Sequence, residues 1–207
     1  MSLYERRILP WLIERACSIT PIARQREALV PQAAGQVLEI GVGSGLNLPF
    51  YDPARVDRVI GLDISPELLR RAEARAADSG IAFTPLLLDA ATIPLPAASV
   101  DTVLVTYALC SIADLGAALA EMKRVLKPEG RLIFCEHGRA PDRAVALVQD
   151  LVNPVWRPLA GGCHLNRDPL AELRAAGFTV ERVDEGYLPM VWRPVGWTSW
   201  GVARIAG

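Results

Sequence analysis

The turn Gly41-Val42-Gly43-Ser44-Gly45, directly after the short apolar run Gln36–Gly41, narrows the possible folds more than any other segment. Glycine reaches positive φ without strain and lets another group lie against bare backbone. A strand that breaks into such a turn and leads on to a further strand and helix is the opening of a layered α/β unit. The next strand pattern is Arg58–Leu62, ending in Asp63. Ser65-Pro66 then starts a helix, because serine caps well and proline suits the first helical position. Leu68, Leu69, Ala72 and Ala76 fall on one face of it, and Gly80 ends it.

The alternation continues down the chain. Ile81–Leu88 reads as a third strand, with Pro85 favouring a sheet edge because proline cannot donate to the ladder. Val100–Tyr107 has the apolar, β-branched character of a strand buried on both faces. Leu115, Ala118, Leu119, Met122, Val125 and Leu126 follow helical spacing until Lys127-Pro128-Glu129-Gly130 stops them, and Arg131–Glu136 is a fifth strand. Ala140–Arg167 is less regular, with a helix expected around Arg143–Val152. A helix from Asp168-Pro169 to Ala176-Gly177 precedes strands near Phe178–Tyr187 and Trp197–Ile205. Strands separated by helices imply right-handed crossovers and a parallel sheet with helices on both faces. That is a doubly wound α/β fold, with its ligand expected at the carboxyl ends of the strands.

Composition removes several classes. With 22 basic against 23 acidic residues the net charge is −1, so the charge gives no reason to expect nucleic acid. The four cysteines (Cys17, Cys110, Cys135, Cys163) include no C-x-x-C pair, so neither a metal site nor a disulfide framework is expected. No apolar run reaches the roughly 20 residues a bilayer crossing needs. No signal peptide is visible, and a cytoplasmic location is expected. Ile8–Ile13, flanked by Arg6, Arg7, Glu14 and Arg15, reads as an amphipathic helix that caps a pocket, with peripheral contact to a membrane surface as the alternative.

The chemistry gathers at the strand ends. Glu39 stands two residues before Gly41, where a carboxylate opposes a pyrophosphate and suits a cationic ligand. Leu46 occupies the position of the third glycine in the dinucleotide fingerprint G-x-G-x-x-G. Asp63 follows the second strand, placed to accept from both ribose hydroxyls, and Asp89-Ala90 follows the third, placed to meet an adenine edge. Either aspartate alone also suits a helix cap; three matched features at successive strand ends favour a nucleoside site.

The stretches VLEIGVGSGLN, GLDISPELL, LDAATIPLPAASVDTVL and EMKRVLKPEGRLIF resemble the motifs of class I S-adenosylmethionine-dependent methyltransferases, especially those of quinone and phosphatidylethanolamine methylation. The resemblance implies a Rossmann-like seven-stranded sheet, mostly parallel with an antiparallel last strand. It implies S-adenosylmethionine as cofactor, held by Glu39, Gly41, Gly43, Gly45 and Asn47, by Asp63 and Ile64, by Asp89 and Ala90, and by the backbone of Tyr107–Leu109. ILPWLIE, EHGRAP and LVNPVWRPLAGGCHLNRD resemble the methyltransferase-like proteins linked to alkyl thiol S-methylation, whose longer hydrophobic N-terminal anchor has no counterpart here. One domain is expected, divided into an N-terminal helical lid (1–34), a cofactor-binding core (35–137) and an acceptor-side insert with the C-terminal strands (138–207).

The expected acceptor is a small, apolar molecule, a thiol ahead of an N- or O-methylated lipid or quinone-like substrate. Trp11 and Trp156 belong to the segments expected to cover the ligand edge. His137, beside Glu136 at the end of the fifth strand, and His164, in the following loop, are the candidate proton acceptors or acceptor-orienting groups. Arg167 is either a surface charge or a partner for Glu136 or an anionic acceptor. The rival readings are a nicotinamide-dependent oxidoreductase and a non-catalytic nucleotide-binding module.

Overall fold

The computed structural model describes Tyr4 and residues 8–206; the expected flanking charges Arg6 and Arg7 lie outside the described residues. A seven-stranded sheet runs through the molecule in the order β3-β2-β1-β4-β5-β7-β6. Its strands are β1 Gly35–Ile40, β2 Val56–Asp63, β3 Phe83–Leu87, β4 Val100–Thr106, β5 Leu126–His137, β6 Phe178–Tyr187 and β7 Trp197–Ile205. The ladders from β3 through to β5 are parallel, and β7 runs antiparallel between β5 and β6. The Rossmann-like fold with its antiparallel last strand is therefore as expected, and Pro85 does sit on an edge strand.

Alternate side chains of the central strands face opposite layers, as the two-residue period requires. Leu38, Ile60, Val103, Val105 and Phe134 pack with Leu119 and Met122 on one face. Val37, Val59, Leu104 and Ile133 pack with Leu69 and Ala72 on the other. Burying such a side chain stabilises by about 1.5–3 kcal/mol, so the continuous apolar runs hold the sheet from both sides. The helices are α1 Leu9–Cys17, α2 Thr20–Leu29, α3 Pro66–Ser79, α4 Leu115–Val125, α5 Arg143–Leu159, α6 Pro169–Ala175 and the short α7 Arg193–Gly196.

Local signals explain most boundaries. Ser65 Oγ caps α3 by accepting from the Leu68 amide, and Gly80 ends it at φ +72°. Asp114 caps α4 and Asp168 caps α6. Two elements are longer than expected. β5 begins at Leu126, directly after α4, and absorbs Pro128-Glu129-Gly130 where its register against β4 shifts. α5 runs to Leu159 with Pro154 and Pro158 inside it. Its late turns are anchored from the loop beyond, where the Leu165 amide donates to the buried Asn153 side chain at 2.9 Å. Among the described residues no helix is long and apolar enough to cross a membrane.

Candidate active site

The strand order turns around between β1 and β4, and a ligand crevice opens beyond the carboxyl ends of the strands at such a point. A cavity of about 1490 Å³ lies there. Single drug-sized ligands fill roughly 300–1,000 Å³, so this cavity has room for two molecules side by side.

One part of its wall is the turn after β1. Gly41, Gly43 and Gly45 all have positive φ (+64°, +56° and +77°). A Cβ on Gly41 would stand 2.5 Å from the Ala108 Cβ, so only glycine lets the turn after β1 lie against the turn after β4. A Cβ on Gly43 would meet nothing closer than 3.9 Å, leaving its backbone bare on the cavity side. Gly45 instead packs against Leu48 and α3 and does not line the cavity.

Neither aspartate caps a helix. Asp63 lines the cavity and accepts from the Gly43 amide at 2.9 Å and the Ser65 amide at 2.8 Å. Burial pushes its pKa up, against those hydrogen bonds. Each oxygen keeps a free lone pair, which suits a pair of vicinal hydroxyls. Ile64 lines the cavity beside it, as do Asp89 and Ala90 at the tip of β3. Asp89 accepts from the Ala91 amide at 2.8 Å.

Glu39 is placed differently from expectation. It is fully buried beneath the cavity, with one oxygen accepting from Asn47 Nδ2 at 2.9 Å and the other from the Tyr51 hydroxyl at 2.7 Å. Burial raises its pKa to about 7, opposed by those two hydrogen bonds. Its role is to fix Asn47, whose carbonyl oxygen takes Arg26 Nε at 2.9 Å. Arg26 is 5% exposed, donates also to the Cys17 carbonyl and lines the cavity, 5.9 Å from the centre of the Tyr107 ring. Sequence reasoning missed it. The signal was present: Ile22, Arg26 and Leu29 share the buried face of α2, where an arginine is out of place unless something needs its charge.

The opposite part of the cavity is assembled from distant segments. Tyr107, at φ +55°, starts the turn after β4; Ala108 and Cys110 line the cavity, whereas Leu109 is buried behind it and offers only backbone. Glu136 does not pair with Arg167. Its Oε1 accepts from the Ala108 amide at 2.9 Å, its Oε2 is buried without a partner among the described residues, and burial raises its pKa to about 7. Arg167 donates to the Leu109 and Ile112 carbonyls, the latter at 3.0 Å, clamping the same turn. His137 lines the cavity with Nε2 3.2 Å from Cys163 Sγ; His164 does not line it and contributes its amide to the Cys110 carbonyl at 2.9 Å. The neighbouring Cys110 sulfur and then burial hold the Cys163 thiol well above its ordinary pKa. From α1, Leu9, Pro10 and Ile13 face the cavity, while Trp11 points outward at 56% exposed. Trp156, Leu188 and Val191 complete an apolar wall.

A family model described as a methyltransferase domain matches residues 38–134. Human thiol S-methyltransferase TMT1B is 32% identical over 170 residues, covering 79% of this chain and 69% of the human protein. The chain belongs to the class I S-adenosylmethionine-dependent methyltransferases. Demethylmenaquinone methyltransferase of Thermus thermophilus is 31% identical over 140 residues, 67% of this methyltransferase and 64% of that protein. The chain spans about two thirds (66–69%) of the thiol methyltransferases it matches. A solved S-adenosylmethionine-dependent methyltransferase from Mesorhizobium loti shares the fold at TM-score 0.64 and 24% identity, covering 87% of this methyltransferase and 96% of that chain.

The residues of this methyltransferase fit its cofactor on their own terms. A carboxylate at the tip of β2, another at the tip of β3, bare glycine backbone between them and a buried guanidinium match the ribose, base and amino-acid portions of a charged nucleoside. When bound, S-adenosylmethionine supplies a methyl carbon activated by its sulfonium.

Proposed function

We propose that this methyltransferase methylates the thiol of a small, apolar molecule. The observation that carries the reading concerns the carboxylates lining the cavity. Glu14 pairs with Arg71 and Arg75, Glu67 with Arg70 and Arg71, and Asp63 and Asp89 stand at the tips of β2 and β3. None of these carboxylates stands in the apolar wall as a free base, and the imidazole that lines it, His137, has its Nε2 engaged 3.2 Å from Cys163 Sγ. A phenol or an activated carbon acid needs such a base, whereas a thiol with pKa near about 8.5 is already partly ionised. The names of the thiol methyltransferase relatives support the same class of acceptor.

In this reading Asp63 accepts from the ribose hydroxyls, Asp89 and the Ala90 amide take the adenine edge, and Gly41–Gly43 lie under the nucleoside. Arg26, held by Asn47 and through it by Glu39, takes the carboxylate of the methionine part, alongside the backbone of Tyr107–Leu109. Residues 1–34 act as the lid, 35–137 as the cofactor core and 138–207 as the acceptor side. The ion pairs of Glu14 with Arg71 and Arg75 hold α1 over α3, and the apolar wall excludes water and aligns the acceptor for in-line attack. The test is a labelled methyl-transfer screen across short alkyl thiols, phenols, amines and lipid amines. Turnover concentrated on thiols is expected; turnover of phenols, quinols or amines with none on thiols would overturn the reading.

A further inference from the structure

Cys110 follows β4, His137 ends β5 and Cys163 lies in the loop after α5, and all three line the cavity. One ligand atom from each can be chosen so that all three lie within 4.8 Å of one another, with His137 Nε2 3.2 Å from Cys163 Sγ. Tetrahedral zinc, with bonds of about 2.3 Å to sulfur and 2.0–2.1 Å to nitrogen, sets its ligand atoms roughly 3.5–3.8 Å apart. Closing this cluster on an ion therefore needs movements of about 1 Å or less.

The surroundings hold the cluster in shape. The two loops that carry the cysteines are stitched by the His164 amide on the Cys110 carbonyl at 2.9 Å and by the Arg167 clamp on Leu109 and Ile112. Gly162 packs so closely that a Cβ there would stand 3.3 Å from the Ser111 carbonyl oxygen. Trp156 Nε1 lies 3.3 Å from Cys163 Sγ, and since an indole only donates, this sulfur is the acceptor. An N–H directed at sulfur is the outer-shell support a metal thiolate needs.

We propose that Cys110, His137 and Cys163 bind a zinc ion through their two sulfurs and the imidazole Nε2. The donor set decides the metal class: two soft sulfurs with one imidazole favour zinc over magnesium or calcium. Two thiolates and a neutral imidazole on a dication give a site of zero net charge, the form least costly to bury against an apolar wall. Binding releases two protons, one from each thiol, and forms two zinc–sulfur bonds and one zinc–nitrogen bond. Three protein ligands leave the fourth position open, as in catalytic rather than structural zinc sites, and all three ligands line the cavity. A thiol acceptor enters it as the thiolate, losing its proton to solvent. The sulfur pair then takes the methyl carbon as the bond from that carbon to the sulfonium breaks, giving a thioether and a neutral cofactor product. This use of the fourth position rests on the thiol reading; the zinc site itself does not.

The test is cobalt substitution of the reduced protein, read by absorption, with zinc affinity measured by competition against a chromophoric chelator. One equivalent of cobalt should give tetrahedral visible bands and a near-ultraviolet thiolate-to-cobalt charge-transfer band. Cys110→Ser and Cys163→Ser should each weaken zinc by more than about 100-fold, beyond the roughly 10–100-fold cost of losing an outer-shell partner. Cys17→Ser should leave the spectrum unchanged. Circular dichroism and binding of S-adenosylhomocysteine report whether each variant is folded. Absence of the charge-transfer band in the unmodified protein, or its survival in the folded Cys110→Ser/Cys163→Ser double variant, would overturn the site. A cobalt spectrum unmoved by a short alkyl thiol would keep the metal but remove the thiol from its fourth position. Failure of thiol methylation in the acceptor screen is read separately, by turnover.

Discussion

The two ends of the cavity are built in opposite ways. The end proposed for the cofactor is local: Gly41–Gly43, Asp63 and Asp89 each sit within three residues of the end of their own strand, and parallel pairing of β1, β2 and β3 brings the tips together. The end proposed for the acceptor draws Cys110, His137, Trp156 and Val191 from four segments spread between residues 110 and 191, joined by backbone carbonyls rather than by a motif. The first end has little freedom because the sheet fixes it. The second depends on loops, where binding specificity can vary without disturbing the core.

That contrast can be broken most forcefully at Gly41. Gly41→Val puts a side chain against Ala108 at positive φ, and the expected cost is about 2–5 kcal/mol of stability with no measurable cofactor binding. Denaturant melts and calorimetry check it; wild-type values in both would show that the turn is not sterically determined.

Next comes Glu39. Its folded pKa of about 7 lies above the ordinary value of 4.5, so the stability that the protonated carboxyl contributes is fully present below about 4.5 and is lost as pH rises through 7. The loss is about 3 kcal/mol, and Glu39→Gln, which cannot ionise, should flatten the stability profile between those pH values by that order. An unchanged profile would mean that Glu39 titrates as an ordinary carboxylate.

Arg26→Met keeps the buried stem but removes the charge. Cofactor affinity should fall by about 10–100-fold, the worth of one or two charged hydrogen bonds. Equal loss of acceptor affinity would mean that Arg26 does not belong to one end alone. The smallest effect is expected at the acceptor wall. Val191→Ser should raise KM for an apolar acceptor about fivefold, for roughly 1 kcal/mol of lost contact, and leave cofactor affinity unchanged.

The sequence was most readable where structure is local. Asp63, Asp89 and the glycine turn stand out because each follows its own strand, and Ser65, Gly80 and Asp168 mark helix ends that the fold keeps. Glu39 stands near the end of β1, as the strand pattern has it, but nothing in the spacing announces that Tyr51 and Asn47 close over it. α5 runs past the expected Val152 through Pro154 and Pro158, and its continuation depends on Asn153 bonding to a residue in the next loop. The intervals from Cys110 to His137 and from His137 to Cys163, 27 and 26 residues, resemble no ligand spacing. They become neighbours only because β4 and β5 are adjacent and the loop after α5 folds back over their ends.

The most direct measurement of the central claim is a calorimetric titration of the wild-type protein and Asp63→Ala with S-adenosylmethionine and with S-adenosylhomocysteine. If carboxylates and bare backbone at the strand tips hold the nucleoside, the wild type binds both and Asp63→Ala weakens each by about 100-fold, the worth of two hydrogen bonds to a carboxylate. Equal affinities in the two proteins, or no heat from either ligand with the folded wild type, would contradict it.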